Sequence, residues 1–94
     1  MDWVKETLKR TDRRRVPIFY DPHYLAREAE RNLDIDSVER TVRMGRPVVH
    51  KCTFPDRICF RSYMGKPNVT YEVPVKIYKE FWEVKSAWVR KGRY

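Results

Sequence analysis

The stretch from Asp21 to Gly45, DPHYLAREAERNLDIDSVERTVRMG, limits the fold more than any other part of the chain, because its punctuation marks two helices joined by a short link. Asp21 stands as an N-cap and Pro22 at the first helical position, where a missing N–H costs nothing and the fixed φ already suits a helix. Asp36 reads as a second N-cap, with Glu39 completing a capping box and Gly45 serving as a left-handed C-cap before Pro47.

In the first helix Leu25, Ala26, Ala29 and Leu33 share one face, while His23, Arg27 and Arg31 run along another. In the second, Val38 and Val42 supply the buried stripe, and Arg40 and Arg43 lie outside it. The basic stripe of the first helix has two readings. It is either a track for a polyanion or a solvated surface balanced by Glu28 and Glu30, with His23 packed at the helix start.

A chain of 94 residues is expected to form one domain, residues 1–94, in which neighbouring faces share a single apolar layer. The formal charge of +8 favours contact with a polyanion: nucleic acid, an acidic protein or an anionic membrane. No run approaches about eighteen consecutive apolar residues, and MDWVKETLKR carries acidic residues with no apolar h-region. Neither a membrane span nor a signal peptide is expected, and the expected location is the cytoplasm. Two cysteines, Cys52 and Cys59, are too few for a disulfide scaffold, and His23 and His50 form no zinc spacing with them, so neither a metal nor a cofactor is expected.

Residues 2–10 suit a short helix capped by Asp2, with Trp3, Val4 and Leu8 as apolar contacts; residues 1–15 read as that helix or as a flexible basic arm. Arg13, Arg14 and Arg15 offer phosphate-binding charge, although a solvated terminus has the same composition. The piece VPIFY leads into Asp21, and Pro17 restricts it to an edge strand or an extended connection.

After Gly45 the pattern turns extended. Residues 48–54 and 58–64 read as a hairpin around Pro55-Asp56. Pairing Phe54 with Ile58 separates the faces: Val48, Cys52, Phe54, Ile58, Phe60 and Met64 toward the core, and Lys51, Thr53, Cys59, Arg61 and Tyr63 on the other side. The cysteines then point apart as free thiols, and His50 turns inward with Ser62 as a hydrogen-bonded structural histidine. Residues 64–68 are a loop, and Val69, Tyr71, Val73, Val75 and Ile77 alternate as a strand in which Pro74 implies an edge or a bulge. Residues 74–90 suit either an amphipathic helix with Lys85 misplaced, or a hairpin turning near Lys79-Glu80 with Trp82, Val84, Ser86 and Trp88 on one face. A basic and aromatic tail, Arg90 to Tyr94, follows.

The succession of a helix bearing His23, Arg27 and Arg31, then DIDSVERTVRMG, a hairpin and the closing WEVKSAWVRKGR resembles small domains of the RelE/ParE/BrnT toxin superfamily, over about residues 20–93. The resemblance implies an α+β fold, two or three N-terminal helices packed on a C-terminal antiparallel sheet of about four strands, and it favours strands over residues 69–89. It also implies an endoribonuclease acting on messenger RNA, free or ribosome-bound, partnered by an antitoxin. Attack of a 2′-hydroxyl on the adjacent phosphate needs cations on the phosphate, a base and an acid. The candidate catalytic residues are Lys51, Arg61, Tyr63 and Arg90, without a clear general base. Arg13, Arg14, Arg15, Lys91, Arg93 and Tyr94 are the candidate nucleic-acid contacts, with Tyr63 or Tyr94 stacking on a base. The competing expectation is a non-catalytic nucleic-acid-binding or protein-interaction module on the same fold. Trp82 and Trp88 read as core or interface residues.

Overall fold

The computed structural model describes residues 2–24 and 33–94. The chain opens with helix α1, Trp3–Arg10, whose N-cap Asp2 accepts a hydrogen bond from the Lys5 amide at 3.1 Å. Val4 is buried, and Trp3 and Leu8 pack against the same core. Strand β1, Ile18–Tyr20, is a sheet edge, as Pro17 requires. Asp21 then accepts from the His23 amide at 2.8 Å, and residues 22–24 are helical. The stripe positions Arg27 and Arg31, like Leu25, Ala26 and Ala29, lie outside the described residues.

Helix α2 spans Ile35–Met44, starting two residues earlier than expected, with Asp34 rather than Asp36 at the N-cap. Asp34 accepts from the Ser37 hydroxyl at 2.7 Å, while Asp36 sits in the first turn, where the helix dipole favours a carboxylate. Glu39 does not complete a capping box and instead meets Arg43 at 2.8 Å, one helical turn on. Val38 and Val42 are fully buried, as their spacing demands.

Gly45 is not left-handed: its φ of −72° and ψ of 164° are extended. Its need for glycine is spatial. A Cβ there would lie 2.5 Å from the Thr41 carbonyl oxygen and 2.8 Å from that of Arg61, so the helix end and the sheet touch backbone to backbone.

Among the described residues the sheet has six strands in the order β1-β5-β4-β3-β2, with β6 also beside β4. These are β2, Arg46–Pro47; β3, Arg57–Met64; β4, Val69–Ile77; β5, Trp82–Val84; and β6, Trp88–Lys91. The expected four-stranded antiparallel sheet is thus too small and too uniform. β1 comes from the N-terminal half and pairs with β5 in parallel, which interleaves the strands with the helices instead of following them. Residues 74–90 resolve as strands with a turn closed by the Tyr78 amide donating to the Phe81 carbonyl at 3.0 Å. Among the described residues no helix is long and apolar enough to cross a membrane.

The first hairpin departs from its expected register. Arg46 pairs with Arg61 and Pro47 with Phe60, whereas Thr53 bridges Arg57. Between them Val49–Lys51 forms a 3₁₀ turn that takes up the extra residues of the first arm. Phe54 therefore leaves the core, 66% exposed, with its ring 5.7 Å edge-on from Trp3, and His50 lies exposed in the 3₁₀ turn instead of facing Ser62. Ile58, Phe60 and Val48 are buried as expected.

Pro74 is neither at an edge nor in a bulge. It sits in the central strand β4, opposite Cys59, and its carbonyl accepts from the Lys85 amide at 3.1 Å. Pro74 has no N–H to give toward that neighbour, and there the neighbouring strand is interrupted, between β5 and β6. The interruption shifts the side-chain phase by one residue: Trp82, Val84 and Ala87 are buried, while Trp88 turns to the opposite face. Lys85, out of place on the apolar side of the alternative helix, uses the break to reach Asp21 at 2.7 Å.

Both cysteines are free. The Cys52 thiol donates to the Val48 carbonyl on the core side, and burial pushes the Cys59 thiol up to about 11. A thiol reagent under denaturing, non-reducing conditions should count two thiols; a count of zero refutes this arrangement. Gly45→Ala should cost about 1–3 kcal/mol in urea denaturation, the range for overpacked sites. Gly65→Ala, where an added Cβ meets nothing within 4 Å, should be near neutral.

Candidate functional site

The helices cover one face of the sheet, and the chemistry gathers on the other. Directly opposed residues share a face. The ladder therefore sets Arg61 beside Glu72 and Glu72 beside Trp88, and in the next row Tyr63 beside Thr70 and Thr70 beside Arg90. Cys59 and Pro74 form a third row. Lys51 reaches the same face from the end of the 3₁₀ turn.

Glu72 is the centre. Lys51 Nζ donates to its Oε1 at 2.8 Å, and Arg61 donates to its Oε2 through Nε at 2.8 Å and also through Nη2. The Glu72 side chain is 9% exposed, Arg61 18% and Lys51 38%. Burial alone would raise the Glu72 pKa, but the two donated hydrogen bonds and the adjacent positive charges outweigh it and hold the carboxyl below its ordinary range. Glu72 is thus ionised at neutral pH while remaining largely withdrawn from solvent.

An open cavity of about 430 Å³ lies on this face, lined by Lys51, Cys59, Glu72, Pro74, Trp88 and Arg90. Of the four expected catalytic residues, Lys51, Arg61 and Arg90 converge on it or on Glu72. Tyr63 stands one row away and donates to Asn68 Oδ1 at 2.6 Å. Asn68 holds the left-handed conformation, φ 69°, that an Asn tolerates in the tight loop between β3 and β4.

The six expected nucleic-acid contacts divide. Arg13 is built into the fold: its guanidinium donates to the Val42 and Gly45 carbonyls, each at 2.7 Å, and lies 4.6 Å above the Phe60 ring. It satisfies carbonyls that the end of α2 leaves without partners, and Arg43 answers by donating to the Arg13 carbonyl. Arg14 and Arg15 are exposed, with Arg15 3.8 Å from Asp12. Lys91 points away from Arg90, since it alternates with it along β6 and pairs with Val69.

Gly92, φ 98°, turns the chain back over the site face in a conformation suited to glycine. Arg93 then stacks over the Tyr63 ring at 4.9 Å, and Arg90 lies 5.7 Å from the Tyr94 ring. Thr70 pins this return, donating to the Gly92 carbonyl at 2.7 Å and accepting from the Tyr94 amide at 3.2 Å. Among the described residues, no three His, Cys, Asp or Glu side chains form a group that could hold a metal ion.

Sequence reasoning missed Glu72 and misplaced Trp88. Glu72 was detectable, because a tight loop joining Met64 to Val69 fixes the register that sets it opposite Arg61. Trp88 was not, because its face depends on where the strand breaks.

The lowered Glu72 pKa carries a sign. Its contribution to stability is complete above the ordinary value of 4.5 and is lost as pH falls through the lower folded-state value. Urea midpoints should therefore drop below that pH in the wild type, and Glu72→Gln should flatten part of the acid limb; unchanged steepness in the variant refutes the coupling. Compared with protein-family models, curated proteins and solved structures, the chain matches none.

Proposed function

We propose that this chain is a toxin-like RNA-binding protein that cleaves single-stranded messenger RNA on the Arg61–Glu72 face, in the cytoplasm, under the control of an antitoxin that covers this basic surface. The observation that supports the reading most directly is Glu72, an ionised carboxylate gripped by Lys51 and Arg61 at the wall of an open cavity with Arg90 on its lining. It supplies the base for which the sequence offered no candidate.

In this reading Glu72 takes the proton of the 2′-hydroxyl as that oxygen attacks phosphorus, while Arg61 and Arg90 balance the charge gathering on the phosphoryl oxygens. The bond to the 5′-oxygen breaks, and the Lys51 ammonium protonates the leaving oxygen. The products are a 2′,3′-cyclic phosphate and a 5′-hydroxyl end. The 2.8 Å hydrogen bond between Lys51 and Glu72 then returns the proton from carboxylic acid to amine and restores both groups. Tyr63 and Tyr94, each against a guanidinium, extend the face as a cationic and aromatic surface for the strand.

One observation favours a second reading, a non-catalytic nucleic-acid-binding or protein-interaction module. Lys51 and Arg61 both donate to Glu72, as they would in an ion triad that only stabilises the sheet. The readings separate on RNA, offered free and on programmed ribosomes. The catalytic reading expects cyclic-phosphate ends, no cutting where the 2′-hydroxyl is replaced by hydrogen, and at least a hundredfold slower cleavage for Glu72→Gln with RNA binding retained, on the order of the contribution of one acid–base group. Arg61→Ala should lose cleavage as well. No cutting of either substrate by the wild type overturns the enzyme and leaves the module, for which Arg61→Ala only flattens the salt dependence of binding.

A further inference from the structure

Trp88 is the largest apolar side chain on the site face, 47% exposed, yet it comes from a segment whose neighbours Trp82, Val84 and Ala87 are all but fully buried. The phase shift at the Lys85–Ala87 break carries it from the core side to the wall of the cavity. There it stands beside Glu72 in the ladder, with Arg90 two residues further along the same strand. The cavity joins two chemistries. Trp88, Pro74 and the neutral Cys59 thiol make an apolar part, and Lys51, Glu72 and Arg90 make a charged one. Its volume of about 430 Å³ falls in the range of small-ligand sites, roughly 300–1,000 Å³.

The geometry points to a nucleobase subsite: one unpaired base of the RNA strand stacks on the Trp88 indole within the Lys51–Glu72–Arg90 cavity, while Arg90 holds the adjoining phosphate. The inference rests on the proposed RNA-binding function and names the part of the substrate that this cavity takes. An indole beside a guanidinium is the pairing that holds single-stranded nucleic acid, because every base offers a π face and every linkage a phosphate. A double helix does not suit the subsite, since its bases are stacked on one another and offer only their edges in the grooves, with no free face for the indole. Tyr63 and Tyr94 extend the face beyond the cavity, and among the described residues Trp88 is the aromatic side chain that lines the cavity itself. The base is gripped by its face, through stacking that every base supports. The subsite is consequently tolerant of base identity and demanding of base presence.

The test uses the full-length chain and two RNA decamers of equal charge, oligoadenylate and an abasic ribose-phosphate strand, both 2′-O-methylated so that neither is cut. Binding is followed by fluorescence anisotropy. The wild type should hold the oligoadenylate more tightly by about 5- to 150-fold, the range of one base–aromatic stack. Trp88→Ala should remove most of that advantage while leaving the abasic affinity unchanged, and Trp88→Phe should retain much of it. Equal loss on both strands, or no loss on either, overturns the subsite and leaves RNA binding standing. If the wild type binds neither strand and cuts no RNA, the proposed function falls and the subsite with it.

Discussion

The pairing of β3 with β4 is the constraint on which the rest of the molecule depends. It runs without a gap from Met64 and Val69 at the loop to Arg57 and Lys76 at the far end. One ladder therefore carries two opposite surfaces. On one side Ile58, Phe60, Val73 and Val75 meet Val38 and Val42 of α2. On the other, Cys59, Arg61, Tyr63, Thr70, Glu72 and Pro74 form the site. A slip of one residue would exchange these surfaces and bury an arginine and a glutamate against the helix. The apolar contacts of the core thereby hold the Arg61–Glu72 contact in place from the opposite face of the same ladder.

Two balances shape what that ladder exposes. Glu72 is nearly buried, and desolvation opposes its charge, but donors from two separate elements outweigh that cost. Removing one donor would leave the carboxylate withdrawn from water with half its partners, which costs more than losing an exposed pair. Arg13 makes the same point on the other face. Its guanidinium leaves solvent because it finds the unpaired carbonyls at the end of α2 and the ring of Phe60. In the sequence it stands among three identical residues, of which Arg14 and Arg15 remain exposed.

Pro74 links strand chemistry to the site. A proline in a central strand removes one ladder donor, and the neighbouring strand breaks into β5 and β6 beside it. The break lets Lys85 meet Asp21 at the entrance to the following helical residues, and it turns Trp88 outward. A single missing N–H is thus connected to both the anchoring of the N-terminal half and the aromatic wall of the cavity.

Local signals in the chain determined a great deal. The caps at Asp2 and Asp21, the stripe of Val38 and Val42, the edge character of Pro17, the alternation of residues 69–77 and the shared face of Cys59, Arg61 and Tyr63 all follow from spacing and residue type, because each is settled within a few neighbouring residues. The tertiary structure decided what depends on partners distant in sequence. The parallel addition of β1 to β5, the role of Gly45 as a contact point instead of a left-handed cap, the 3₁₀ turn that expels His50 and Phe54, and the capture of Arg13 all require surfaces that local spacing does not specify. Glu72 lies between the two cases. Its polar position in the strand was legible, but its function as the anchor of Lys51 and Arg61 exists only once the ladder brings residues 51, 61 and 72 within hydrogen-bonding distance.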